Sequence, residues 1–238
     1  LVLAWHTLST NGTFSPVQLP RPSAVLAAGW ELLRSGDLWL HVGISTQRVI
    51  VGFLIGSGLG LLLGALLGLS PWARAIGSPT IGALRAVPSL AWVPLLLLWI
   101  GIGENSKVTL VAIGAFFPVL MNTIAGVRHV DGIYLRAARN LGASGTTMFV
   151  RVILPAAVPY ILSGVRIGIG TAFIVVIVSE MIAVNNGLGY RILEAREYFW
   201  SDKIIAGMIT IGLLGLAIDI GMNRLNNYLL RWHRGLEH

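Results

Sequence analysis

The sequence predicts an all-α, polytopic membrane protein with about six transmembrane helices, and three observations lead to it. The chain is 55% hydrophobic and 11% charged, which is more apolar than a soluble domain with a wet surface. Residues 49–69, "VIVGFLIGSGLGLLLGALLGL", carry no charge, over about the 20 residues that cross a bilayer. A soluble helical core would need polar helix faces, which this stretch lacks. Arginines also collect in alternate connections between the apolar runs.

The first elements of the chain are short. Residues 1–8 are apolar but too short to span, so we expect them to be the end of a truncated first transmembrane helix. Asn, Gly and Pro in "STNGTFSPVQLPRP" predict an extended connection. Ser23 is expected to cap a short amphipathic helix suited to the membrane interface. Its apolar side chains are Val25, Leu26, Trp30 and Leu33.

The remaining apolar runs predict five further spans, at residues 44–69, 84–102, 108–127, 160–184 and 204–230. The connections on one side of these spans carry most of the arginines: Arg74, Arg85, Arg128, Arg136, Arg139, Arg151, Arg224, Arg231 and Arg234. Because positive residues accumulate in cytoplasmic loops, that side is expected to be the cytoplasm. Both termini would then be cytoplasmic. Residues 1–235 are expected to form one domain, and "LEH" at 236–238 to be the remnant of an affinity tag.

The connection at residues 130–158 is too polar to span and too long for an ordinary loop. Gly142 is expected to end a first short helix. Thr146 or Thr147 is expected to cap a second one that stops ahead of Pro155. This helix–turn–helix offers small residues and arginines, which suit docking to another protein. The residues alone leave open the alternative that it lies on lipid headgroups.

The segments "AARNLGAS" and "VILP" resemble the cytoplasmic loop signature of bacterial ABC importer permeases. Six residues match the signature's small, glycine, aliphatic and Leu-Pro positions at the family's spacing: Ala137, Ala138, Gly142, Val152, Leu154 and Pro155. Arg136 occupies the place of the family's usual glutamate. That departure implies a different partner for this position on the ATPase.

The resemblance extends over almost the whole chain. "LRAVPSLAWVPLLLLWIGIGENSK", "GVRIGIGTAFIVVIVSEMI" and "NNGLGYRILEAREYFWSDK" look like the permeases that import taurine, alkanesulfonates, nitrate or bicarbonate. Of these permeases, those for taurine look closest, so taurine or another sulfonate is the expected substrate. The resemblance places the chain in the bacterial cytoplasmic membrane.

The resemblance also implies partners. Two copies of the chain would form the pathway for a small anion, two ATPase subunits would bind ATP and Mg²⁺, and a periplasmic or lipid-anchored binding protein would deliver the substrate. This chain would hold no cofactor of its own. The residues expected to couple it to the ATPase are Arg136, Ala137, Ala138, Gly142, Ala143, Leu154 and Pro155.

The residues independently argue against an enzyme. No GxxxxGK[ST] phosphate loop occurs, and Lys107 and Lys203, the only lysines, lack a glycine-rich context. The histidines have no metal-ligand spacing, so no metal site is expected. The net charge of +7 is explained by cytoplasmic arginines and lipid headgroups rather than by nucleic acid. A secondary transporter is a rival, but no internal repeat or mid-span coupling carboxylates are evident. A membrane scaffold is the other rival.

Polar residues inside spans are the candidates for the substrate pathway, because they cost free energy in lipid and usually face a pathway or a partner helix. Pro88 and Pro94 can break the third span and expose carbonyl groups. Arg48 is expected to attract an anion entering from outside, unless it pairs with a neighbouring carboxylate. The residues leave open that Glu180 only hydrogen-bonds a neighbouring helix, that Arg166 only snorkels to the cytoplasmic side, and that the prolines only kink the helix. The candidates are Arg48, Pro88, Pro94, Asn122, Arg166, Glu180 and Asp219.

Overall fold

The computed structural model describes residues 2–182 and 185–230, and within these ranges every regular element is helical. The expected tag at 236–238 lies outside the described residues. The α-helices are α1 Val2–Thr10, α2 Pro22–Arg34, α3 Asp37–Leu69, α4 Pro71–Ala86, α5 Val93–Ile100, α6 Glu104–Arg128, α7 Gly132–Asn140, α8 Gly145–Met148, α9 Leu154–Glu180, α10 Leu188–Glu197 and α11 Ser201–Leu229.

Four continuous helical segments in the described residues are long and apolar enough to cross a membrane: α3, α6, α11 and the segment Gly145–Glu180, in which α8 runs into α9. They confirm four of the predicted spans. Each helical segment is longer than the predicted span, and its ends differ from the predicted ones. α4 and α5 form a bent pair that would bring the number to five. The all-α membrane fold is therefore confirmed, and a count of six stays a prediction.

The predicted span at 84–102 is broken next to Pro88, as its prolines lead us to expect, and its bounds differ from the predicted ones. The chain bends by 87° between Pro71–Ala86 and Ser89–Ile100. Val87 adopts an extended conformation, because the ring of Pro88 disfavours the helical conformation in the residue before it. A 3₁₀ turn, Ser89–Trp92, then leads into α5, where Pro94 lies in the first turn. Pro94 therefore does not break a helix, since a first-turn proline lacks only an N–H that has no helical partner.

The centre of the fold is a packed layer of α3, α6 and α9. Val111, Ala115 and Val176 are fully buried within it. Glycines of α3 repeat every fourth residue along the face that meets α6, at Gly52, Gly56, Gly60 and Gly64. A β-carbon on Gly60 would lie 2.8 Å from the carbonyl oxygen of Phe116. The small residues thus let the two backbones approach closely, as in other membrane helix pairs.

The amphipathic helix expected after the N-terminal connection is α2, which buries Val25 and Ala28. The expected Ser23 cap is wrong, because α2 begins at Pro22 and no side chain caps it. Proline at the first helical position makes a cap less necessary, since its fixed φ already suits the helix. α1 is held near α2 by the Trp5 indole, which donates to the Pro20 carbonyl at 2.9 Å.

The first half of the polar segment at 130–158 matches the prediction. The Asp131 carboxylate caps α7 by accepting from the backbone N–H of Ile133 at 2.8 Å. Gly142 has a φ of +83°, and the following N–H of Ala143 donates to the Ala138 carbonyl at 2.9 Å. These features form a glycine-terminated helix end.

The second half differs from the prediction. α8 begins at Gly145 with Ser144 before it, so neither Thr146 nor Thr147 is its cap. The helix does not stop ahead of Pro155 but continues through a π-helical turn, Phe149–Ile153, into α9. A wider turn before Pro155 relieves the ring's clash with the preceding turn and accommodates its missing N–H. The expected separate second helix is therefore the first part of a 36-residue helical segment.

Candidate functional site

A buried polar cluster lies where α3 and α6 begin and α9 ends. Arg48 of α3 is 2% exposed at its centre. Its Nε donates to Glu104 Oε2 at 2.7 Å, and its Nη1 donates to Glu180 Oε1 at 2.7 Å. Nη2 contacts Glu104 and the Asn186 side chain, and Nη1 also reaches the Asn186 carbonyl at 3.2 Å. The guanidinium group is thus fully engaged by neighbouring oxygens.

Glu180 is fully buried and is held by donors from two other elements, α3 and α10. Besides Arg48, Ser45 Oγ lies 2.8 Å from both carboxylate oxygens, and the Gly189 N–H donates to Oε2 at 3.0 Å. A buried carboxylate is tolerated only when it is paired and hydrogen-bonded in this way. The network therefore ties α3, the end of α9 and the start of α10 together.

The connection before α10 is fixed by the same side chains. The backbone N–H of Gly187 donates to His41 Nδ1 at 2.9 Å, and that of Leu188 donates to Ser45 Oγ at 2.9 Å. A β-carbon on Gly189 would lie 2.9 Å from Glu180 Cβ. The "NGLG" sequence is thus explained by the close approach of this backbone to a buried carboxylate.

The cluster is balanced in charge. Lys107, 3% exposed, donates to the Gly103 carbonyl at 2.9 Å. Two cations, Arg48 and Lys107, therefore accompany two carboxylates, Glu104 and Glu180. Arg48, Lys107 and Glu180 are removed from water, whereas the Glu104 side chain is 57% exposed at the edge of the cluster, and pairing offsets the cost of burying the other three charges.

The structure joins two of the predicted pathway residues, Arg48 and Glu180, in one ion pair. Sequence reasoning missed Ser45, His41 and Asn186, which complete the cluster. The paired glycines after Asn186 were the available signal, since they mark a close backbone approach. The role of Arg48 and Glu180 in an anion pathway stays a prediction.

A second polar group joins α9 to α11. Arg166 donates to Asp219 Oδ1 from Nη2 at 2.7 Å and from Nε at 3.2 Å. The amide of Asn223 donates to the other oxygen, Asp219 Oδ2, at 3.2 Å. The side chains of Arg166 and Asp219 are 43% and 49% exposed. This pair, unlike the buried cluster, is open on one side.

The remaining pathway candidates lie apart from both groups. The Asn122 amide donates to the Pro118 carbonyl of its own helix at 2.9 Å. A β-carbon on Gly164 would lie 2.6 Å from the Asn122 Cβ. Asn122 thus packs between α6 and α9, while Pro88 and Pro94 lie at the α4–α5 bend.

The expected coupling segment is exposed. No residue of α7 is buried, and apolar side chains point outward from it and from the following turn: Ile133 is 60%, Tyr134 59% and Leu141 88% exposed. Exposed apolar groups on a segment too polar to span are typical of a protein-docking surface. We call residues 130–148 the docking segment.

Comparison with known proteins defines the class. Residues 56–235 match the family described as "Binding-protein-dependent transport system inner membrane component". The chain is 42% identical to the putative aliphatic sulfonates transport permease protein SsuC of Escherichia coli (strain K12), over 98% of this chain and 89% of that protein. It is 37% identical to the taurine transport system permease protein TauC of the same strain, over 98% and 86%.

Solved structures agree on the fold. A chain of the MetNI methionine ABC transporter, solved in inward-facing conformations, superposes with a TM-score of 0.70 at 19% identity, covering 84% of this chain and 96% of that one. The protein is therefore a polytopic membrane permease, a transport subunit rather than an enzyme. It belongs to the binding-protein-dependent transport system inner membrane component family of ABC importers.

Proposed function

We propose that this permease forms, as a homodimer, the membrane pathway of an ATP-driven importer of small organic sulfonates. The observation that carries the substrate class is the similarity, over 98% of the chain, to permeases named for aliphatic sulfonates and taurine. Nitrate and bicarbonate are the competing anions.

The proposed assembly contains two copies of this chain, two ATPase subunits and a binding protein that delivers the sulfonate. ATP and Mg²⁺ belong to the ATPase subunits. The exposed apolar side chains of the docking segment support a protein partner at that surface. Arg136, where related permeases carry glutamate, would there meet an acidic group of the ATPase.

The proposed orientation places the docking segment in the cytoplasm and the Arg48–Glu180 cluster at the outer side. The end of α11 then faces the cytoplasm, and the cytoplasmic position of both termini stays a prediction. Arg128, Arg136 and Arg139 near the docking segment support this orientation, because arginines favour the cytoplasmic side.

The test is reconstituted uptake. The permease is co-purified with its ATPase, placed in vesicles with ATP on the ATPase side, and supplied with binding protein and radiolabelled taurine or an alkanesulfonate. We expect ATP-dependent uptake and substrate-stimulated hydrolysis. Uptake of nitrate but of no sulfonate would reject the substrate class, and uptake driven by a proton or sodium gradient without ATP would reject the importer.

A further inference from the structure

We propose that Arg166 is the anion-binding group of the pathway, and that the sulfonate of the substrate displaces the Asp219 carboxylate from it. This inference rests on the proposed function and names the site inside the membrane at which the anion is held.

The pair lies deep in the membrane-spanning helices. Arg166 is 14 residues before Glu180, which is about 21 Å along a helix. Asp219 is 18 residues after the start of α11, about 27 Å along it. Measured from the end that carries the buried cluster, both groups therefore lie in the third of the roughly 30 Å hydrocarbon region that is nearer the docking segment.

The exposure of the pair excludes a lipid-facing position. An ion pair about half exposed at this depth would present charge to hydrocarbon, which is unfavourable, so such groups face a water-filled cavity or a partner. Arg48 and Lys107 are nearly fully buried and already engaged. Arg166 is thus the cation, among the described residues in this third of the spans, whose exposed side leaves room for a ligand.

Small side chains leave that room. Ser163 and Gly170, about one turn before and after Arg166 on α9, are also exposed. The Ser163 hydroxyl donates to the Pro159 carbonyl at 3.0 Å. No bulky side chain of α9 therefore stands directly above or below the guanidinium on this face.

The bonding suits an exchange of anions. Arg166 presents Nε and Nη2 to a single carboxylate oxygen, and a sulfonate can accept from the same fork with two oxygens. Asn223 holds the other oxygen of Asp219, so the displaced carboxylate keeps a hydrogen bond. Asp219 then competes with the substrate, which prevents the anion from being trapped.

The first test is cysteine labelling, for which the chain is suited because it contains no cysteine. In the assembled transporter, Ser163→Cys should react faster with anionic methanethiosulfonate ethylsulfonate than with its trimethylammonium analogue. Adding Arg166→Gln should abolish that preference. Reaction only with a membrane-permeant maleimide, or a preference that survives Arg166→Gln, would overturn the proposal.

The second test is binding of radiolabelled taurine to the purified transporter without binding protein. Asp219→Asn should bind taurine at least tenfold more tightly than the wild type, because the competing carboxylate is gone. Arg166→Gln should lose binding, and the double variant Arg166→Gln/Asp219→Asn should not regain it. Equal affinities in all four proteins, or no binding by Asp219→Asn, would overturn the proposal.

Uptake in the same vesicles separates this inference from the proposed function. Arg166→Gln should lower sulfonate uptake at least tenfold while the yield of assembled transporter stays that of the wild type. If the double neutral variant restores uptake, the pair only joins α9 to α11 and the inference fails alone. If the wild type takes up no sulfonate, the proposed function fails with it.

Discussion

At the scale of single residues, Glu180 shows what a buried carboxylate requires in this chain. Each of its oxygens is met by a donor from another element: Ser45 and Arg48 from α3, and the Gly189 N–H from α10. Removing the charge leaves these donors with a poorer acceptor, and breaking one side of a buried ion pair is far more costly than removing an exposed one.

Glu180→Gln is therefore expected to destabilise the protein by about 3 kcal/mol, because the amide NH₂ must face N–H and O–H donors. The measurement is the thermal unfolding midpoint of the purified transporter in detergent. Glu31→Gln is the matched control: Glu31 is 70% exposed and 3.8 Å from Lys203, so its change should stay within about 0.5 kcal/mol. Equal midpoints for the two variants would contradict the role of the cluster.

The sequence allowed part of this cluster to be anticipated. Arg48 and Glu180 stand out because ionisable residues in apolar spans are conspicuous. Ser45 and Glu180 are 135 positions apart, and no local spacing reveals that α3 and α9 bring them together. Ser45 and His41 lack a signal of their own, since single polar residues near a helix end are common, whereas the glycines after Asn186 mark a close backbone approach.

At the scale of elements, the α3–α6 contact depends on glycines whose hydrogen atoms face the partner backbone. A β-carbon on Gly56 would overlap the Ala112 carbonyl group, whereas one on Gly58 would meet no atom within 4 Å. The two positions are two residues apart on one helix. They therefore differ in packing and share the same helical environment.

Gly56→Ala is expected to destabilise the permease by about 1–3 kcal/mol through overpacking. Gly58→Ala should be neutral or slightly stabilising, because alanine favours the helix more than glycine does. Detergent unfolding midpoints, together with the yield of assembled transporter, measure both. Similar losses for the two variants would show that the backbones do not meet at Gly56.

The turn after α7 gives a second comparison, because Gly142 has a φ of +83° and open space around its α-carbon. Gly142→Val should cost about 1 kcal/mol or more through conformation alone and misplace the docking segment. Gly142→Asn should be tolerated better, since asparagine enters this region more readily.

The readouts for these Gly142 variants are uptake and stimulated ATPase activity, which should fall together in Gly142→Val. Membrane insertion, followed by the amount of protein in the membrane fraction, should not change. Unaltered coupling in Gly142→Val would instead favour the view that this segment lies on lipid headgroups.

Element bounds were less predictable than element existence. Hydropathy located four of the spans, because about 20 apolar residues in sequence are a strong signal. The same signal merged the end of α4 with α5, since hydropathy does not register the bend before Pro88. The expectation that a helix ends ahead of Pro155 is wrong because the π-helical turn that accommodates this proline has no distinctive sequence.

At the scale of the whole molecule, the described chain leaves many large apolar side chains of its spans exposed, among them Leu62, Leu98, Ile174 and Leu213. Such faces are expected to be covered by lipid or by a second copy of the chain. We expect two copies to assemble with two ATPase subunits. Native mass measurement of the purified complex checks this, and a lone copy that transports unaided would contradict it.

The continuity of α8 with α9 has a mechanical consequence. The 36-residue segment Gly145–Glu180 is about 54 Å long, and it starts in the docking segment, passes Arg166 and ends in the buried cluster. Movement imposed at the docking segment would therefore reach Arg166 and Glu180 along one helix, with no loop between them, and the π-helical turn Phe149–Ile153 is the place where that helix can bend.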